Sequence, residues 1–191
     1  MRRLTAIAAA LVVAGGGVLG TAGVAGAATA DRAAEKTGKA ACSTPWGSGV
    51  KQATQYSGTP LRNIRTGQHA CYDRMVFDIT GGTAKTGYYV HYVDEFRQDF
   101  TGDPIPVSGG AILSIHVNAP SYDVNMNPTY NATPKQKLPG VNVTGYQTFR
   151  DHKFGVSWEG QTQVGLGVRA KLPFRVTQTD DQVIVDVAHS W

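Results

Sequence analysis

The residues best suited to proton or metal chemistry are His91, Asp94 and Glu95, which fall in one run, Gly87-Tyr88-Tyr89-Val90-His91-Tyr92-Val93-Asp94-Glu95. An imidazole beside carboxylates can exchange protons near neutral pH or ligate a metal ion. The run is strand-like, rich in tyrosine and valine, and side chains on a strand alternate between faces. His91 and Asp94 therefore point opposite ways, and His91 and Glu95 share a face only if the strand runs on without a bulge. The other histidines are His69, His116, His152 and His189, and no two of the five have a metal-site spacing such as His-Glu-x-x-His. There is no Gly-x-Ser-x-Gly elbow. Asp94 and Glu95 are adjacent and face apart, so they do not form the opposed pair of a glycoside hydrolase. These residues imply no metal, no cofactor and no catalytic group.

Binding chemistry is better represented. Tyr88 and Tyr92 share a face with Val90 and are expected in the core. Tyr89 and His91 fall with Val93 on the other face and are the candidates for ligand contact, with Glu95 beyond them. Aromatic rings stack on sugar rings, and nearby carboxylates or amides take the hydroxyls. Arg175 can anchor the carboxylate of a peptide stem, or it can pair with Asp186 across a final hairpin; the pair is favoured and Arg175 stays a candidate.

The elements that must position these residues are strands. Met75, Phe77 and Ile79 alternate with Arg74 and Asp78 just before the tyrosine-rich run, and Gly81-Gly82 and Gly87 bracket the connection. An antiparallel hairpin from Cys71 to Glu95 is the simplest expectation. Val50 to Tyr56 is expected as a short edge strand and 61–69 as a basic connection. Ala111, Leu113, Ile115 and Val117 mark a clean strand. The segment 118–140 carries Pro120, Pro128, Pro134 and Pro139 and is expected as a long loop. A strand is expected over 141–149. Phe154, Val156 and Trp158 continue as another strand or the same one after a bulge. Val164, Leu166 and Val168 alternate with Gly165, Gly167 and Arg169, and glycines on one face leave room for a close neighbour or a ligand. The last hairpin turns at Asp180-Asp181. No long 3.6-residue period is present. About eight or nine strands separated by turn signals indicate an all-β, antiparallel sandwich or barrel.

Arg2-Arg3, the small apolar run 4–24, and the exits Ala25-Gly26-Ala27 and Ala28-Thr29-Ala30 read as a secretory signal peptide over residues 1–30. Cleavage after Ala27 or Ala30 is expected, leaving no membrane anchor. Residues 31–41 are expected as a flexible lead-in and 42–191 as one domain. Loss of Arg2 and Arg3 lowers the formal charge from +4 to +2, and so balanced a surface argues against nucleic acid as a partner. Cys42 and Cys71 are the only cysteines, and in an exported chain they are expected to form a disulfide worth roughly 3.5 kcal/mol for a loop of this length. Trp46 is expected to plug the core beside it.

Tyr72-Asp73-Arg74-Met75-Val76-Phe77-Asp78, Gly87-Tyr88-Tyr89-Val90-His91-Tyr92-Val93, Pro173-Phe174-Arg175-Val176 and Val183-Ile184-Val185-Asp186-Val187-Ala188-His189, in this order, resemble the AMIN-like domain of secreted actinobacterial proteins and lipoproteins. Trp46-Gly47-Ser48 and Arg65-Thr66-Gly67-Gln68-His69-Ala70-Cys71 fit as well, so the resemblance runs from about Cys42 to His189. It implies a β-sandwich related to the AMIN domains of cell-wall amidases. Those are non-catalytic modules that target enzymes and secretion machinery to the envelope, with peptidoglycan the usual proposed ligand. The bacterial source it implies sets aside the sequons at Asn131 and Asn142.

The expected function is thus that of a secreted, non-enzymatic module that binds a cell-wall glycan, plausibly peptidoglycan, and stays on the wall or diffuses from it. The alternative is a protein–protein module that meets an envelope protein through a sheet edge or the 118–140 loop.

Overall fold

The computed structural model describes residues 42–191 except 57, 80 and 83, so the segments read as a signal peptide and a lead-in lie outside the described residues. Among the described residues there is no helix, and nine antiparallel strands form two sheets. They are β1 (Lys51–Ala53), β2 (Asn63–Gln68), β3 (Tyr72–Asp78), β4 (Tyr88–Val93), β5 (Ala111–Val117), β6 (Phe149–Trp158), β7 (Gln161–Val168), β8 (Phe174–Gln178) and β9 (Gln182–Ala188). The five-stranded sheet has the order β1-β4-β5-β7-β6 and the four-stranded sheet β2-β3-β9-β8. Of the sandwich and the barrel that the alternating pattern allows, this is the all-β sandwich that the family resemblance implies.

The core lies between the sheets. Val90, Leu113, Ile115, Val164 and Leu166 face inward from the larger sheet, and Ile64, Met75, Phe77, Val183, Val185 and Val187 from the smaller, all buried. Two-residue alternation buries one face of each strand at about 25 cal/mol per Å² of apolar area and leaves the other free to carry polar groups.

Three expectations are corrected. The strands around Gly81-Gly82 are not a hairpin: β3 pairs with β2 and β9, whereas β4 pairs with β1 and β5 in the other sheet. The glycines serve the crossing between layers. A Cβ on Gly87 would stand 2.3 Å from the carbonyl oxygen of Gln55, and one on Gly82 would stand 2.0 Å from that of Asp180. The segment 61–69 is mostly strand, since Ile64 turns inward from β2 while its neighbours Asn63 and Arg65 remain exposed. Residues 141–148 are not a strand. There the Asn142 side chain accepts from the Thr144 amide at 2.9 Å, and Gly145 takes φ of 78°, which turns the chain before β6 starts at Phe149.

The 118–140 loop packs against the sandwich. It buries Ala119, Tyr130 and Leu138, and its 135–136 backbone exchanges hydrogen bonds with Phe154 of 2.8 and 2.9 Å. A disulfide joins Cys42 to Cys71 at the start of β3.

Candidate functional site

The outer face of the larger sheet carries the site. On β4 and β5 the non-core positions are Tyr89, His91, Ser114 and His116, and the register sets His91 opposite Ser114 and Tyr89 opposite His116. β7 contributes Gln163 opposite His116, and Gly165 opposite Ser114. The connection over residues 94–110 folds back over this face because the glycines of β7 leave a trough. A Cβ on Gly165 would come within 2.6 Å of the Phe96 ring, and one on Gly167 within 1.9 Å of the Ser108 carbonyl oxygen. Phe96 is buried there. The neighbour that those glycines admit is thus the chain itself.

That connection delivers Asp99. The Gln163 carboxamide locks it: its Oε1 accepts from the Asp99 amide at 3.0 Å, and its Nε2 donates to Asp99 Oδ1 at 3.0 Å and to the Arg97 carbonyl at 2.8 Å. Asp99 Oδ2 lies 3.2 Å from His116 Nδ1, and His116 Nε2 lies 3.1 Å from Ser114 Oγ. With the serine hydroxyl donating to Nε2, the imidazole is neutral and donates through Nδ1 to Asp99. The His91 ring packs on Tyr89 with centroids 4.5 Å apart and stands 6.3 Å from His116. His91 Nδ1 is buried and has no hydrogen-bond partner among the described residues.

Burial pushes the His91 imidazole below its ordinary value. Burial also pushes His116 down, against the pull of Asp99 upward and with a further push down from His91. Both rings are therefore neutral at pH 7. Together these groups line a concavity of about 320 Å³ that also includes Glu95, whose carboxylate pairs with Arg97 at 2.5 Å. β4 ends at Val93, so Glu95 reaches the concavity from the returning loop rather than along the strand.

Ser114, His116 and Asp99 have the order of a nucleophile, a base and an orienting carboxylate. However, Ser114 is only 3 % exposed and sits mid-strand, and β5 spends its amides on both β4 and β7. The amides of β5 on either side of it are thus engaged in the sheet rather than free to stabilise an oxyanion. What the arrangement can do is present fixed, neutral donors and acceptors next to an aromatic ring. Among the described residues, no three His, Cys, Asp or Glu are placed to hold a metal ion.

The structure therefore brings together Tyr89, His91 and Glu95. It places Arg175 elsewhere, on the outer face of the smaller sheet, where its Nε donates to Asp186 at 2.8 Å and its guanidinium lies 4.4 Å from the Trp46 ring. Trp46 is half-buried against Tyr72 and Arg175 rather than inside the core. Tyr92 is a core wall, as expected: it packs edge-on against Phe174, its hydroxyl bonds Leu172 at 2.8 Å, and burial pushes it up to about 12. Sequence reasoning missed Ser114, His116, Asp99 and Gln163, which come from three separate elements. The glycine alternation on β7 was the available signal, since it announced that something covers that face.

Residues 59–189 match the family model of the AMIN-like domain, a match that covers more than half of the chain and suggests a cell-wall-associated module. No curated protein and no solved structure matches the chain. Among the described residues no helix is long and apolar enough to cross a membrane. The ordered set of short motifs and the two-sheet sandwich that they build agree with the family match, and the chain belongs to the AMIN-like domain family.

Proposed function

We propose that this protein is a non-catalytic module that binds a neutral glycan of the cell envelope, with the peptidoglycan strand as first candidate, through the outer face of its larger sheet. One observation carries the reading: Tyr89, His91 and Glu95 meet in a single concavity whose His116, Asp99 and Gln163 are already fixed by hydrogen bonds. Tyr89 supplies a ring for stacking, backed by the His91 ring packed on it, and the Glu95 carboxylate meets hydroxyl or acetamido groups. Prepaid order of this kind lowers the cost of binding. The burial of Ser114 in mid-strand supports binding rather than turnover. Export by the signal peptide read over residues 1–30 would deliver the domain to the wall.

Co-sedimentation with purified insoluble peptidoglycan tests the reading, using protein purified from cells that express the full chain. Saturable binding is expected, with Tyr89→Ala and His91→Ala each weakening it by about tenfold, the upper range for one stacking contact. Retention no greater than that of heat-unfolded protein would overturn it.

A second reading is favoured by one feature. The tip of the 118–140 loop exposes Val124 and Met126 beside a cleft lined by Tyr56, Pro120 and Tyr122. Such a tip suits an envelope protein as partner, and a defined cross-linked protein lost on Val124→Asp would support it.

A further inference from the structure

Two of the large apolar side chains that remain exposed lie just beyond the concavity, and they face each other. Phe100 is 83 % exposed and Trp158 is 51 % exposed, with ring centroids 5.4 Å apart at 38°. Neither orientation is a default. Phe154 faces the core from β6, so an unbroken strand would also turn Trp158 inward, four residues on. A bulge between Phe154 and Ser157, opposite Gln163, adds one residue and reverses the alternation, so Trp158 emerges on the outer face opposite Gln161. Gly155 lies in this bulge, where a Cβ would stand 2.2 Å from Gln163 Oε1. Phe100 has φ of 74° and the adjoining Glu159 has φ of 48°, conformations that cost bulky residues energy and persist where the surroundings impose them.

Both rings line a second concavity of about 340 Å³, with Val156, Gln161 and Glu159 along it. It shares Asp99 and Gln163 with the first, so the two are adjacent. Among the lining residues of both, the acidic side chains are Glu95, Asp99 and Glu159, and Arg97, the one arginine or lysine, is spent on Glu95. That charge repels a polyanion, while the aromatic walls and the Gln161 amide suit uncharged rings bearing hydroxyl and acetamido groups.

We infer that Phe100 and Trp158 form a second sugar subsite adjacent to the first, so that the protein reads a chain of neutral N-acetylated sugars rather than one ring. This rests on the glycan reading above and deepens it. Asp99 and Gln163 are the shared floor between adjacent subsites, and the Phe154–Ser157 bulge is the device that aims the platform.

The test is calorimetric titration of protein from the full chain with N-acetylglucosamine oligomers of increasing length, alongside a wall stem peptide and poly(glycerol phosphate). Affinity is expected to rise with oligomer length. Trp158→Ala and Phe100→Ala should each remove about tenfold from the longest oligomer and leave the shortest unchanged, while Tyr89→Ala weakens every length. Trp158→Phe should retain the length dependence. A flat length dependence in the unaltered protein, or unchanged long-oligomer binding in both Trp158→Ala and Phe100→Ala, overturns the second subsite while Tyr89-dependent binding of the short oligomer leaves the first intact. Binding of the peptide or the polyanion in place of every oligomer overturns both, as does binding of nothing.

Discussion

Asp186 shows how a single carboxylate organises an exposed sheet face. It is fully buried although it points away from the core, because Arg74 covers it with bonds of 2.6 and 2.9 Å and Arg175 with one of 2.8 Å. The bond to Asp186 raises Arg74 above its ordinary value, against the opposing effect of burial. Removing the carboxylate leaves two guanidiniums side by side, each still partly hydrated, so Asp186→Ala is expected to cost about 2 kcal/mol in urea unfolding. Arg175→Ala should cost about 1 kcal/mol or less, since Arg74 keeps the carboxylate satisfied, and should leave peptidoglycan binding unchanged. A loss of binding in that variant would return Arg175 to the ligand site. The Arg175–Asp186 pair was readable in the sequence because one hairpin fixes both residues. Arg74 and Trp46 were not readable as its partners, since they reach it across more than a hundred residues of chain.

At the scale of elements, β7 and the connection over it form one unit. Its outer face keeps Gly165 and Gly167 where the connection lies closest, with the Ser108 carbonyl directly above Gly167. A methyl group there must displace backbone rather than a flexible side-chain end. Gly167→Ala is therefore expected to destabilise the fold by about 1–3 kcal/mol. It should also raise protease cleavage within residues 94–110 and weaken glycan binding, because Asp99 rides on that connection. An unaltered proteolysis pattern would show that the cover is not seated as described. The alternation of valine, leucine and glycine told the reader that β7 is a strand with room on one face. It did not say what fills the room, because the filling segment, interrupted by Gly102 and two prolines, carries no period of its own. Trp158 was likewise placed on a strand by pattern, but its face depends on a bulge that no spacing rule specifies.

For the whole molecule, the sequence pattern specifies which face of each strand is apolar but not which sheet receives it. β3 and β4 both turn apolar faces to the same core from opposite layers, so the pattern that suggested a hairpin is equally satisfied by a crossing. The molecule as a whole also has a pH limit. Burial lowers His91, His116 and His152, and His152 Nδ1 accepts the Leu138 amide proton at 3.0 Å, a bond that protonation at that atom breaks. A histidine whose folded value lies below its unfolded one binds fewer protons folded than unfolded. Its stabilising contribution is complete above the unfolded value of about 6.5 and is lost as pH falls through the window down to the folded value. The urea midpoint is expected to drop between pH 7 and pH 5, and His152→Ala should be less stable at pH 7 but show a shallower drop. A midpoint that rises on acidification would contradict this.

The Cys42–Cys71 bond has a mechanical consequence for a domain pulled from its N-terminal side. Tension entering at residue 42 passes through the disulfide to the root of β3, an interior strand flanked by β2 and β9. The polypeptide between the two cysteines, with the three-residue edge strand β1 and the edge strand β2, is shunted out of the load path. Those edges would otherwise unzip one hydrogen-bonded pair at a time. Pulled through the bridge, the domain takes the load first on an interior strand bonded on both sides, not on an edge.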